Sequence, residues 1–319
     1  MTMLSSHIKR YPLAWFYILS VLIVILIIPA FIVTGAGDTV TQAFERTGSP
    51  FNTDLVTWTR LVSAFPSAFP GALLALLQVA SPDLAVVIVV GIAYGRKGFL
   101  DLKRRFRFWS REIPWKHGIQ SWAICVSIFA GMSLATAGLS RFILPIEGFA
   151  WSLNFLSFDF LRGLLIAMFL DGGALFEENG WRGFALPLLL KRFDPLAASI
   201  VLGLMWTFWH VPVKFDLALT YGVHEFFLMF SVLTAKFVLL TIIMTYFWNQ
   251  VGQTTIIAIV MHGLSNDSVR LGGNILSEVF QSQLKYEINL MLPMLAVSFI
   301  LIMLKGKLLG LEPNAKRVV

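Results

Sequence analysis

Apolar residues run along this chain in long, unbroken stretches. There are eight: roughly 13–34, 70–94, 119–139, 157–178 (running on to 190), 196–212, 226–248, 253–265 and 288–304. A bilayer core of ~30 Å takes about 20 helical residues, and only helices or closed barrels satisfy their backbone polar groups in lipid. The period-two alternation of a barrel strand is missing, so the pattern predicts eight transmembrane helices. The seventh is short, and the second contains Ser81-Pro82-Asp83, where Pro82 removes a backbone donor and should kink or split its helix. The first run follows His7, Ile8, Lys9 and Arg10 and exceeds the ~7–15 apolar residues of a signal peptide, which predicts an uncleaved signal anchor. The stretch 35–69 carries Asp38, Glu45, Pro50 and Asp54 and reads as an outside loop. With no repeat, low-complexity tract or soluble segment, residues 1–319 read as a single membrane domain: an all-α, polytopic helical bundle.

Composition sharpens this picture. Hydrophobic residues make up 57% of the 319 positions and charged residues 13%, against ~25% charged in an ordinary globular protein. So few charges cannot cover so much apolar surface in water, and the same excess excludes disorder. Cys125 is the only cysteine, which excludes a disulfide scaffold. The net charge of +7 is organised by side. Lys9, Arg10, Arg96, Lys97, Lys103, Arg104, Arg105, Arg107, Arg111, Lys116, Lys191, Arg192, Lys305, Lys307, Lys316 and Arg317, 16 of the 25 basic residues, fall at one end of the predicted helices. The other end receives Arg46, Arg60, Arg141, Lys214, Arg270 and Lys285. The positive-inside rule then places both termini in the cytoplasm, consistent with an even number of spans. The block 96–116 interleaves its charges with Phe99, Phe106, Phe108, Trp109 and Trp115. Beside a membrane, that pattern points to anionic lipid headgroups and not to nucleic acid. The expected location is the cell membrane, as a multi-pass protein.

Ionisable residues at membrane depth are expensive and are functional candidates by default. Three clusters carry them: Phe176-Glu177-Glu178-Asn179-Gly180-Trp181-Arg182, Trp206-Thr207-Phe208-Trp209-His210, and Met261-His262-Gly263-Leu264-Ser265-Asn266. Glu178 and Arg182 stand i, i+4 and can form an ion pair, whereas Glu177 lies about 100° around the helix and is left free. His262 and Asn266 share one stripe. Counted from the basic end at ~1.5 Å per residue, Glu177 lies about 21 Å deep, His210 about 22 Å and His262 about 15 Å, so the clusters can meet. Each piece alone has a structural reading, as an ion pair or interhelical hydrogen bond. Together, a carboxylate, two imidazoles and an amide suit water activation beside oxyanion stabilisation, the needs of amide hydrolysis. No P-loop, nucleophile elbow, Rossmann glycine pattern, GxGD or HExxH is present; His224-Glu225 is followed by Leu228 where a second His would stand. Two non-proteolytic readings remain: a peptide-binding immunity or scaffold protein, and a small transporter using Asp83, Asp171 and Lys236, which would otherwise be helix-pairing or interface residues.

The three clusters resemble the CPBP family, the CAAX proteases and bacteriocin-processing enzymes also called Abi proteins, whose motifs read EExxxR, FxxxH and HxxxN in this order. Glu177, Glu178 and Arg182 match the first motif, His210 the second, and His262 with Asn266 the third. Trp206 departs from the Phe of the second motif, a change expected to affect packing more than chemistry. The resemblance covers about 155–270, a CPBP-like catalytic core, and implies an eight-helix intramembrane endopeptidase like the type II CAAX prenyl proteases. It implies Glu177 as the base activating water, His210 holding that water, His262 and Asn266 as the oxyanion hole, and Glu178–Arg182 as a brace. The expected partner is a peptide or protein substrate, membrane-associated and reached from the cytoplasmic half. No cofactor is firmly implied. A divalent metal such as zinc would take Glu177, His210 and His262 with a water as fourth ligand. Against that stand the missing HExxH pair and the lack of an evident carboxylate behind either histidine.

Overall fold

The structure is a computed structural model, and it describes residues 3–47, 54–151, 157–275 and 279–311. Lys316 and Arg317, counted above with the basic end, lie outside these. A short helix, α1 (Met3–Arg10), leads into α2 (Pro12–Thr34), whose Pro12 sits where a missing backbone donor costs nothing. Next come α3 (Ala36–Thr47), α4 (Leu55–Ala64), α5 (Phe69–Val79), α6 (Ser81–Ala93), α7 (Gly95–Arg105) and α8 (Trp115–Gly138), the last extended by a π turn over Leu139–Ile143. After these come α9 (Phe158–Leu170), α10 (Gly172–Gly180), a π turn over Trp181–Ala185, and α11 (Leu186–Leu189). The chain continues as α12 (Pro195–Val213), α13 (Asp216–Tyr221), α14 (Val223–Gln250), α15 (Thr255–Gly272) and α16 (Phe280–Lys305). The only strand pairing among the described residues joins Phe149–Trp151 antiparallel to Gly273–Ile275, so the all-α expectation holds.

All eight predicted apolar stretches are helical, but not all are single straight spans. Five helices are long and apolar enough to cross a bilayer alone: α2, α8 with its π extension, α12, α14 and α16. This makes the protein a multi-pass membrane protein. The second stretch is bent by 59° between α5 and α6. Pro82, in the first turn of α6, cannot donate back into α5, which is the kink its position predicted. The fourth stretch is broken at Asp171, whose extended backbone (ψ 124°) ends α9, while its side chain caps α10 through the Ala174 amide at 2.7 Å. The straight helix expected over 157–190 is thereby corrected: a capping aspartate before Gly172-Gly173 starts a new helix.

Residues 35–69 also differ from expectation. Those of them that are described are mostly helical, as α3 and α4, and bury Val40, Ala43, Phe44 and Leu61 in a small apolar cluster of their own. Asp54 caps α4 through the Thr57 amide at 2.8 Å, and its backbone pairs with that of Asp171, which fastens α4 beside the break before α10.

The core sits where α10 and the adjoining π turn are surrounded by α2, α6, α12, α14 and α15, around Phe16, Trp181, Trp206, Trp209 and Trp248. Lipid offers no hydrophobic drive between helices, so close backbone approach does the packing. Gly203 of α12 allows this against Val238 of α14: a Cβ there would stand 2.7 Å from the Val238 Cα. Gly263 of α15 likewise lies directly against the Ala167 carbonyl of α9. Both glycines flank the polar clusters and set the separation of their helices.

Candidate active site

The π turn begins at Trp181, after Asn179 and Gly180 close α10, and its wider geometry shifts the helical register of Trp181 and the residues beyond it. Two braces hold this segment. Asp83 at the start of α6 accepts from the Asn179 side chain at 2.7 Å and from the Gly180 amide at 2.8 Å. Ser81 accepts from the Trp209 indole at 3.0 Å. The Ser81-Pro82-Asp83 sequence therefore kinks its own helix and fixes the end of α10.

Glu178 and Arg182 are both fully buried and form the predicted ion pair, Nη1 to Oε1 at 2.7 Å. Arg182 also donates to Thr241 Oγ1 of α14 at 3.1 Å, and its guanidinium lies over the Trp206 ring at 4.4 Å. The same Glu178 Oε1 lies 2.8 Å from His262 Nδ1. An ionised carboxylate only accepts, so Nδ1 carries the hydrogen and Nε2 is turned to the other edge of the ring. His210 is fixed in the same manner: its Nδ1 lies 2.8 Å from the Trp206 carbonyl, which can only accept. Its ring stacks on Phe237 at 4.5 Å.

Glu177 points elsewhere, as its helical position predicted. Its Oε2 accepts from the Trp206 indole at 3.0 Å and the Trp181 indole at 3.3 Å. Its Oε1 has no hydrogen-bond partner among the described residues. A Cβ placed on Gly173 would stand 3.4 Å from that Oε1, 3.2 Å from Asn266 Nδ2 and 3.2 Å from Asp171 Oδ1. Asn266 donates to Asp171 Oδ1 at 3.1 Å, which leaves the second hydrogen of its amide for another acceptor.

A cavity of about 950 Å³ joins these groups: Glu177, His210, His262 and Asn266 all line it, with Gly172 and Gly173 in its wall. Glu178 and Arg182 stand behind it. The structure thus brings together the four residues expected to do chemistry and separates from them the two expected to brace. The three residues of the transporter reading share no path: Asp83 and Asp171 hold α10, and Lys236 pairs with Glu287 at the cavity wall.

Residues 157–267 match the type II CAAX prenyl endopeptidase Rce1-like family. The resemblance carried by the three motifs is borne out by this match, which contains all of them. A curated relative, CAAX prenyl protease 2 of Methanococcus maripaludis, is 35% identical over 129 residues. That alignment covers 37% of this chain and 42% of the relative, so the chain spans less than half the length of the relative it matches.

Several expectations change. Trp206, expected to differ from the family's Phe in packing more than in chemistry, supplies an N–H to Glu177 that Phe lacks. The carboxylate thought to be missing behind the histidines is present for His262, as Glu178. Among the described residues no three His, Cys, Asp or Glu side chains converge into a group that could hold a metal ion. Sequence reasoning missed Trp181, Thr241 and Asp171 as parts of the site. Asp171 alone had a readable signal, an Asp before Gly-Gly that is typical of a helix start.

The cavity also has a definite place along the helices. No residue of 95–119, 181–208 or 241–261, the segments nearest the basic loops, lines it; its exposed polar residues are Thr59, Ser63, Lys214, Asp216 and Asn266. The cavity lies in the half of the bundle remote from the basic end.

The empty wall at Gly173 makes a direct test. Gly173→Ala puts a methyl between Glu177 Oε1 and Asn266 Nδ2, with contacts of 3.2–3.4 Å that permit folding. A turnover loss of at least tenfold with an unchanged unfolding midpoint in detergent is expected. Normal turnover would mean that no reacting atom passes through that space.

Proposed function

We propose that the protein is an intramembrane endopeptidase that hydrolyses a peptide bond of a hydrophobic, membrane-associated substrate with a glutamate-activated water. What carries the reading is the state of Glu177: one carboxylate oxygen is held by two indoles, and the other opens on a cavity shared with His210, His262 and Asn266. In this reading, Glu177 Oε1 removes a proton from a water held by the bare Nε2 of His210. The water oxygen attacks the carbonyl carbon of the scissile bond. The oxyanion formed is met by the second amide hydrogen of Asn266 and by Nε2–H of His262 in its imidazolium form. Glu177 then returns the proton to the leaving amine as the C–N bond breaks. Glu178 and Arg182 keep the His262 ring in place and touch no reacting atom. No step passes through a metal.

The exposed Arg96, Lys97, Lys103, Arg104, Arg111 and Lys116 sit on and after α7, and we propose that they rest on anionic headgroups. The family match and the relative's name favour CAAX-type or leader-type processing as the reaction class. The test is a comparison of membrane-proteome terminal peptides between cells carrying the wild-type chain and cells carrying Glu177→Gln. New termini confined to wild type are expected; identical sets of termini would refute the peptidase reading.

A further inference from the structure

We infer that the turn between α7 and α8 binds the phosphate of one membrane lipid. Arg105 and Arg107 hold the phosphate, and the acyl chains lie against Phe106 and Phe108. The turn inverts the arrangement that water would impose on its side chains. Phe106 and Phe108 are 52% and 51% exposed, whereas Arg105 is 7% exposed and Arg107 is half-buried. In water such a segment would bury its rings and show its guanidiniums. Outward rings and inward charges suit a segment whose outer surface is the membrane interface. Its place agrees, since it stands directly before the spanning helix α8 and so at the bilayer surface.

The fold fixes this inversion. The Phe108 carbonyl accepts from the Trp122 indole at 2.9 Å and from the Thr254 hydroxyl at 3.4 Å. The Ser110 amide donates to the Val251 carbonyl at 2.8 Å. Trp109 lies against Gly118, where a Cβ would stand 2.7 Å from the ring. The start of α8 and the turn after α14 thus pin residues 108–110, and the alternation of the residues before them is held with them.

Charge around the turn indicates what enters. Between residues 101 and 110, Lys103, Arg104, Arg105 and Arg107 stand against a single acid, Asp101, which bonds the exposed Arg104 at 3.3 Å. Arg107 Nε is buried without a hydrogen-bond partner among the described residues. Burial lowers the Arg105 guanidinium to about 10, with Asp101 opposing the shift and Arg107 adding to it. Charge withdrawn from water needs an opposite charge beside it. A phosphate supplies that charge in compact form, and a guanidinium fork binds its oxygens two at a time. A lipid brings the phosphate together with chains that cover the exposed rings, which a free phosphate does not. The exposed Arg96, Lys97 and Arg104 attract a charged surface as a whole, whereas the inward pair takes one headgroup. No residue of the turn lines the cavity, so this inference does not rest on the peptidase reading.

The test uses the full-length protein in detergent, with native mass spectrometry counting the molecules bound as phosphatidylglycerol is added. One tightly held phosphatidylglycerol per chain is expected, and diacylglycerol, which has no phosphate, should bind about tenfold more weakly or worse. Arg107→Gln is expected to weaken phosphatidylglycerol binding by about tenfold or more. Phe106→Ser changes an exposed ring and should weaken it by about threefold, which keeps the site testable if Arg107→Gln misfolds. The pair Arg96→Gln with Lys97→Gln removes two exposed charges of α7 and should leave the affinity within about threefold of wild type. An equal loss in that pair would reduce the binding to diffuse surface charge and overturn the site. So would a wild-type chain that retains no phosphatidylglycerol, or one that holds diacylglycerol as tightly. Inorganic phosphate forms the second arm. Phosphate bound as tightly as the lipid, and equally by wild type and Phe106→Ser, would assign the arginines to a free anion and overturn the lipid.

Discussion

Glu177→Gln is expected to lower cleavage by about 10²–10⁴-fold, the usual contribution of a positioned general base, while the protein unfolds at its wild-type midpoint in detergent. The substitution keeps the shape of the side chain. Its carbonyl oxygen can still accept from Trp206 and Trp181, which fixes the amide rotamer: the NH₂ must then occupy the position of Oε1 and face the cavity. A donor with no free lone pair replaces an acceptor at the one atom the proposed reaction needs. Because both indole partners keep their bond, stability is expected to change little. A variant that folds normally and turns over a peptide at the wild-type rate would remove Glu177 from the reaction. His210→Ala makes a useful companion, because its Nδ1 partner is a carbonyl of its own helix and no other side chain loses a hydrogen bond.

Much of this site could be read from the sequence, because helical spacing and membrane depth are strong constraints. Glu177 and Glu178 differ by one position and therefore face different ways, and the structure shows the split: two indoles on Glu177, a guanidinium and an imidazole on Glu178. His262 and Asn266, one turn apart, both reach the cavity. What could not be read depends on contacts between distant segments. Ser81 and Asp83 meet Trp209 and the end of α10 across about a hundred residues, and nothing local distinguishes a bracing aspartate from a functional one. The polar use of Trp206 was hidden for a related reason. An indole reads as apolar bulk until the carboxylate against its N–H is known. The break at Asp171 was missed because hydropathy averages over a window and a single capping residue leaves it unchanged. Which half of the bundle is hollow was not legible either, because only folding decides it.

Arg182→Ala is expected to cost about 3–5 kcal/mol, the loss typical of removing one member of a buried ion pair. The size reflects what would be left behind. Arg182 is fully buried, and its loss leaves Glu178 as an uncompensated charge in the core, with Oε2 already lacking a hydrogen-bond partner among the described residues. Thr241 Oγ1 loses its donor, and the Trp206 face loses the cation above it. Activity should fall as well, through His262: the carboxylate that holds the Nδ1–H of that ring loses the arginine that fixes its own position. The measurement is the unfolding midpoint in detergent alongside turnover, and both should drop. Pairing Arg182→Met with Glu178→Gln removes both charges at similar volume. That double variant should recover most of the stability, since the penalty comes from the unpaired charge and not from the missing bond. The outcome that would count against this account is Arg182→Ala unfolding at the wild-type midpoint. The pair would then be no brace, and the rigidity of His262 would have to come from its edge-on contact with Trp206 at 4.9 Å.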